Sequence, residues 1–197
     1  MFRTTTRTGV LAATPCLAVA LLAGCGSTTA EQPAGTPATS NAPGADALRS
    51  TGGAEQCLTA GLRIDLGRGN NDMQGAHLPL RFTNTASRPC TLQGAPGVSY
   101  VTGEGGEQVG LPAERDTDGP VVTLAPGETA SAALFLSSAP RKTPGCEQVE
   151  VGGLRVYPPN DTEPVFVEHE AVTCAPPLGG PFLEVGPVRP GTGNTGP

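Results

Sequence analysis

Two histidines, one internal methionine, six cysteines and a short run of loop acids are the side chains of this 197-residue sequence whose chemistry could exceed packing. His77 and His169 could each act as a general base, but a base needs a nucleophile held beside it. No Gly-x-Ser-x-Gly elbow is present. His77 falls on the polar side of an alternating segment, away from Leu78 and Leu80, and His169 sits between Glu168 and Glu170. Both read as surface residues, and no catalytic residue is assigned. Met73, His77 and His169 are too sparse a set for copper, whose carriers offer several soft ligands close together. Asp116-Thr117-Asp118-Gly119 matches a fragment of a calcium loop but lacks the further oxygen donors and the closing Glu. Asn160-Asp161-Thr162 fits a glycosylation sequon and reads as a turn. No metal site, cofactor or reaction is implied, and the protein is read as not an enzyme.

The cysteines divide by position. Ahead of Cys25 lies a segment with Arg3, Arg7 and no acid, then the apolar run Val10 to Ala23, broken by Thr14 and Pro15. Fourteen residues are too few to span a bilayer, which takes roughly 20. The run ends in Leu22-Ala23-Gly24-Cys25, which resembles the lipobox of bacterial lipoproteins. Residues 1–24 are accordingly read as a signal peptide that carries Cys16 away with it. Cys25 becomes the lipidated first residue of the mature chain. The implied location is the cell membrane, lipid-anchored on its extracytoplasmic face.

Cys57, Cys90, Cys146 and Cys174 remain, in a compartment where disulfides persist. Zinc ligands come as close pairs two to four residues apart, whereas the nearest spacing here is 28. Four cysteines allow three connectivities. Antiparallel hairpins favour one of them. Cys57 and Cys90 are centred near residue 73, beside the Asn70-Asn71-Asp72 turn, and Cys146 and Cys174 are centred on Asn160, inside Pro158-Pro159-Asn160-Asp161. The pairs Cys57–Cys90 and Cys146–Cys174 are predicted, each worth about 3.5 kcal/mol in the loop-entropy treatment.

The elements around these residues read as strands. Gly (28) and Pro (21) make up a quarter of the chain, which disfavours long helices. Residues 25–54 hold the lipidated cysteine and a linker of Ser, Thr, Ala, Gly and Pro, too poor in apolar side chains to order itself. Leu62, Ile64 and Leu66 alternate with polar residues, as do Leu78, Leu80 and Phe82. Further strands are predicted at 97–102, 121–124, 129–136, 149–157, 165–172 and 182–188, with a Pro-Gly turn at Ala125-Pro126-Gly127. The fold class is all-β: an immunoglobulin-like antiparallel sandwich of seven to nine short strands over residues 55–189, followed by a flexible tail at 190–197. From Cys25 onward ten basic residues face eighteen acidic ones, a formal charge of −8. That balance disfavours nucleic acid, which needs clustered Lys and Arg.

The segment from Cys57 to Val188 resembles the actinobacterial family described as domain of unknown function 4232. The resemblance rests on Cys57, on Leu80-Arg81-Phe82-Thr83-Asn84-Thr85 leading to Cys90-Thr91-Leu92-Gln93-Gly94-Ala95-Pro96-Gly97-Val98, on Val122-Thr123-Leu124-Ala125-Pro126-Gly127, and on Cys146 with Cys174. It implies a secreted or lipid-anchored envelope protein with a sandwich fold, and it carries no catalytic residues to transfer. The resulting expectation is a non-catalytic binding or structural module of the cell envelope. Its partners would be the membrane, through Cys25, and an envelope protein or glycan. The alternative is an extracytoplasmic carrier of a small ligand or metal ion.

Overall fold

Period-two alternation of apolar and polar side chains dictates most of the strands. The computed structural model describes residues 54–176 and 181–196. The expected signal peptide, Cys25 and nearly all of the linker lie outside the described residues. Among the described residues the chain forms β1 (Glu55–Gln56), β2 (Leu62–Leu66), β3 (Asn70–Asn71), β4 (Gly75–Asn84), β5 (Cys90–Gln93), β6 (Gly97–Val101), β7 (Gln108–Val109), β8 (Glu114–Arg115), β9 (Val121–Leu124), β10 (Thr129–Ser137), β11 (Gln148–Tyr157), β12 (Val165–Cys174), β13 (Leu183–Val185) and β14 (Arg189–Pro190). Eight of these have four residues or more. Two single 3-10 turns, Thr59–Gly61 and Ala139–Arg141, are the helical elements among the described residues.

The strands form a β-sandwich. One sheet runs β2-β4-β10-β13-β8, with β3 beside β4 and β14 beside β10; the other runs β12-β11-β6-β7. Leu80, Phe82 and Leu134 of the first sheet and Val98, Leu154 and Val156 of the second are at most 1% exposed and belong to one core. Each such side chain contributes about 1.5–3 kcal/mol by leaving water. Ala132 lies opposite Leu80 and Ala130 opposite Phe82, so small residues make room beside the large ones.

Of a third, small sheet, β1-β5-β9, β9 is the strand expected at 121–124, while β1 and β5 are absent from the pattern expected of the sequence. β1 runs parallel to β5, with Glu55 beside Cys90, and Cys57 N donates to Thr91 O at 2.9 Å. This sets the Cys57–Cys90 bridge, with Cα atoms 4.8 Å apart. The pair is nonetheless the one hairpin symmetry predicts. Leu62 faces Asn84 and Leu66 faces Leu80, both centred on Met73, and the bridge closes just beyond the open end of that hairpin. Cys146–Cys174 forms likewise, Cα atoms 5.4 Å apart, at the open end of β11–β12, where Gln148 faces Cys174.

Asn84 joins the sheets. It is fully buried. Its Nδ2 donates to Leu124 O at 3.0 Å and Arg88 O at 2.9 Å, and its Oδ1 accepts from Ala86 N at 2.9 Å. Its main chain donates to Glu128 O and accepts from Gly127 N. The predicted turn sits there: Glu128 N bonds Ala125 O, and Gly127 has φ +80°, which a side chain would resist.

Asp161 performs a similar task on the surface. Its Oδ2 accepts from Thr59 N and Thr59 Oγ1, at 2.7 and 2.9 Å, and its Oδ1 from Thr162 N and Glu163 N. The β11–β12 turn is thereby tied to the chain entering β2. The turn itself places Asn160 at φ +60°, a conformation Asn tolerates.

Replacing Asn84 by Ala leaves the buried Leu124 O without its partner and releases the part-buried Ala86 N and Arg88 O, so urea denaturation should show a loss of about 2 kcal/mol; a loss below about 1 kcal/mol would refute the role given to this amide. Hydrogen bonds from Thr59 N and then Glu163 N hold the Asp161 carboxyl below its ordinary 3.8. Its stabilisation is therefore complete above the ordinary value and vanishes as pH falls through the lower folded one. The stability gap between wild type and Asp161→Asn should hold constant from pH 7 to about 5 and shrink below about 3.8; a gap that widens on acidification would contradict this.

Candidate functional site

The outer face of the first sheet carries a cleft of about 540 Å³. Its floor is set by strand register. His77 on β4 lies directly across from Phe135 on β10, and alternation turns both outward while Leu134 and Leu136 point into the core. Their rings stack at a tilt, centroids 4.8 Å apart. Ala133, Val185 and Pro187 complete the apolar part. β13 pairs in parallel with β8, setting Glu184 beside Glu114 and Val185 beside Arg115.

One wall is the end of the chain. Residues 190–196, expected from composition to be a tail, have specific partners on β10. Ser131, fully buried, donates through Oγ to Gly191 O at 2.7 Å. Asn194 Nδ2 donates to Ser131 Oγ at 2.9 Å and to Ser131 O, Pro190 O and Arg189 O at 3.2–3.3 Å, and Asn194 N donates to Ser131 Oγ. Arg189, Asn194 and Thr195 consequently line the cleft.

Charge is plentiful around it. Arg115, Arg189, Glu114, Asp116 and Glu184 all line it and all are exposed. None takes part in the ion pairs found among the described residues. His77 is already occupied: its Nε2 lies 3.2 Å from Asp72 Oδ2. Asp72 Oδ1 accepts from Gln74 N and Gly75 N, at 2.7 and 2.9 Å. Chiefly the Gly75 and Gln74 bonds, and also His77, hold the Asp72 carboxyl below its usual range.

A second cavity, about 310 Å³, opens between the two sheets at one end of the sandwich. Gly75, Ala76 and Leu136 border it on one side and Tyr100, His169 and Ala171 on the other, with Asp72, Arg141 and Glu170 also lining it.

The structure thus separates the residues singled out by type. His77 and His169 line different cavities. Met73 is 87% exposed. Asp116 lies at the cleft, its Oδ1 accepting from Asp118 N at 3.1 Å. Among the described residues no group of three His, Cys, Asp or Glu is placed to hold a metal ion. The four later cysteines are all in disulfides, and Cys25 lies outside the described residues. Sequence reasoning missed Phe135, Arg115, Arg189 and Asn194. Phe135 had a signal, being an aromatic at an outward position of an alternating strand; the others depend on contacts distant in sequence.

A disulfide-crossed β-sandwich with an open, charged cleft on one sheet is the class of protein these features define. The chain belongs to the family described as domain of unknown function (DUF4232), whose model matches residues 57–189. No curated protein and no solved structure matches the chain.

Removing the Asn194 side chain should free the cleft wall. Asn194→Ala is expected to cost about 1–2 kcal/mol and to speed amide exchange at residues 189–196 while leaving β11 protected. Unchanged exchange in that segment would show that the clamp is held by other contacts.

Proposed function

We propose that this protein is a lipid-anchored binding module of an actinobacterial cell envelope, non-catalytic, held on the extracytoplasmic face by lipid on Cys25, with the outer-sheet cleft as its recognition surface. The observation that carries the reading is the cleft's chemistry. Unpaired guanidinium and carboxylate groups surround a small apolar floor on a rigid sheet, an arrangement suited to orienting a partner. The single imidazole there bonds a carboxylate, and among the described residues no hydroxyl or thiol hydrogen-bonds to it, as a nucleophile would. The strand order supports an immunoglobulin-like plan. β2-β4-β10 against β12-β11-β6 follows the A-B-E and G-F-C order of such sandwiches, with β13 where strand D would lie. Among the described residues no helix is long and apolar enough to cross a membrane. Anchoring in this reading rests on Leu22-Ala23-Gly24-Cys25, and the linker, at most ~90 Å extended, would hold the domain away from the bilayer. The alternative, a carrier of a small ligand, draws on the second cavity.

Two measurements test the proposal. Wild-type protein should partition into detergent and show acyl mass on a mature chain beginning at Cys25, while Cys25→Ala should partition into water; a mature chain without acyl mass rejects the anchor. Crosslinking on intact cells should give an adduct that Arg115→Glu/Arg189→Glu abolishes with the fold intact by circular dichroism. The same adduct in that variant, or none in wild type, rejects the cleft as the recognition surface.

A further inference from the structure

The cavity between the sheets differs in kind from the outer cleft. Tyr100 on β6 lies beside Leu154 of β11 and is 3% exposed, with its ring in the core. Burial alone pushes its phenol far above the usual range, with no hydrogen bond acting on it. The hydroxyl stays protonated, and among the described residues it has no partner. The cavity is where Tyr100 meets open space.

A second device points at the same space. β12 carries a bulge: Val151 faces Ala171 but Gly153 faces Glu168, so His169 and Glu170 together oppose Gly152. Bulges redirect side chains and recur beside binding sites. Both glycines opposite are needed. A Cβ at Gly152 would lie 2.8 Å from Thr102 O, and one at Gly153 would lie 2.5 Å from Val167 O. Burial lowers the pKa of the half-buried His169 ring below its usual range.

We propose that this inter-sheet cavity is a binding site for a small, neutral, hydroxyl-rich molecule, a single sugar ring or polyol, with Tyr100 and His169 as its hydrogen-bonding floor. A phenol donates and accepts, as does an imidazole in its uncharged form, which matches hydroxyl groups. Ala76, Leu136 and Ala171 offer apolar surface for a ring's C–H face. An anion would meet two carboxylates, Asp72 and Glu170, against the one guanidinium of Arg141. The volume sits at the lower end for ligand sites and suits one ring, either a free sugar or the terminal residue of a glycan.

The chain has no Trp and two Tyr, so Tyr157→Phe leaves Tyr100 as the sole tyrosine fluorophore. In that background, titration with glucose, galactose, mannose, myo-inositol and glycerol to about 100 mM should give a saturable fluorescence change for at least one probe, with Kd near or below about 1 mM. Calorimetry on wild type should find the same Kd, and Tyr100→Phe and His169→Phe should each weaken it at least tenfold by that method. Arg115→Glu, in the outer cleft, should leave it unchanged, which keeps this site's test apart from the cleft's. An oligosaccharide of the best probe binding more tightly than the monomer assigns a glycan end; equal affinity assigns the free sugar. The proposal is overturned by no saturable change with any probe, by inorganic phosphate or acetate binding in their place, or by Tyr100→Phe binding as wild type does.

Discussion

One buried amide governs how the pieces of this domain meet. Asn84 ends the longest strand of the first sheet, and there its side chain bonds the last carbonyl of β9 and both flanks of the β4–β5 loop. Nothing in the core could replace it, since apolar packing has no direction, while three bonds to fixed backbone groups do. With Asn84 in place, β5 is delivered beside β9, Cys90 arrives beside Cys57, and the first bridge closes. The neighbouring residues extend the same join: Thr83 and Thr129 share a hydroxyl contact at 2.8 Å across the strands, and Gly94, at φ +91°, accepts from Val188 N. The segment from Phe82 to Gly94 that carries the family resemblance is therefore an architectural joint. That is why it speaks to fold and is silent about chemistry.

Much of the sandwich was legible because its strands bury one face. Leu62, Ile64 and Leu66, the Ala130-to-Leu136 series and the long β11–β12 hairpin each write alternation into the sequence, and each became a strand near its expected bounds. Of the third sheet, β9 was legible, while β1 and β5 were not. β1 is two exposed residues in parallel pairing, and β5 is four residues whose neighbours are fixed by Asn84 and a disulfide, not by hydrophobic period. The cleft was hidden for a related reason. Its charges come from β8, β13 and the chain end, brought together by long-range pairing, and a side chain such as Asn194 looks like any polar residue of a Gly- and Pro-rich terminus until its bonds to Ser131 are seen.

The two cavities divide the chemistry of the domain. On the outer sheet the lining charges are exposed, so their long-range attraction is screened beyond about 8–10 Å at ordinary salt, and they suit orienting a partner already close. Between the sheets Tyr100 is buried and His169 half-buried, and hydrogen bonds made there discriminate more strongly because an unmatched one is costly. A partner's charge and a small molecule's hydroxyls would thus be read at separate places, connected through β4 and β10: His77 and Phe135 face the cleft from strands whose ends, Ala76 and Leu136, border the inner cavity.

Composition explains why such a domain needs cross-links. With no Trp and 4% aromatic residues, its core is built largely from Leu, Val and Ala, whose burial yields less per residue than aromatic packing. Two disulfides compensate by restricting the unfolded chain, and their positions matter as much as their number. Cys57–Cys90 fastens the entry to the first sheet. Cys146–Cys174 fastens the far end of β12 to the stretch beyond the Ala139–Arg141 turn, and so fixes from two sides the rim on which Arg141 and Glu170 stand. A mouth between two sheets would otherwise be the first place to breathe, because its strands end there and lose their neighbours. The bridge closes the open end of the β11–β12 hairpin and so limits fraying of the strand that carries His169 and Glu170.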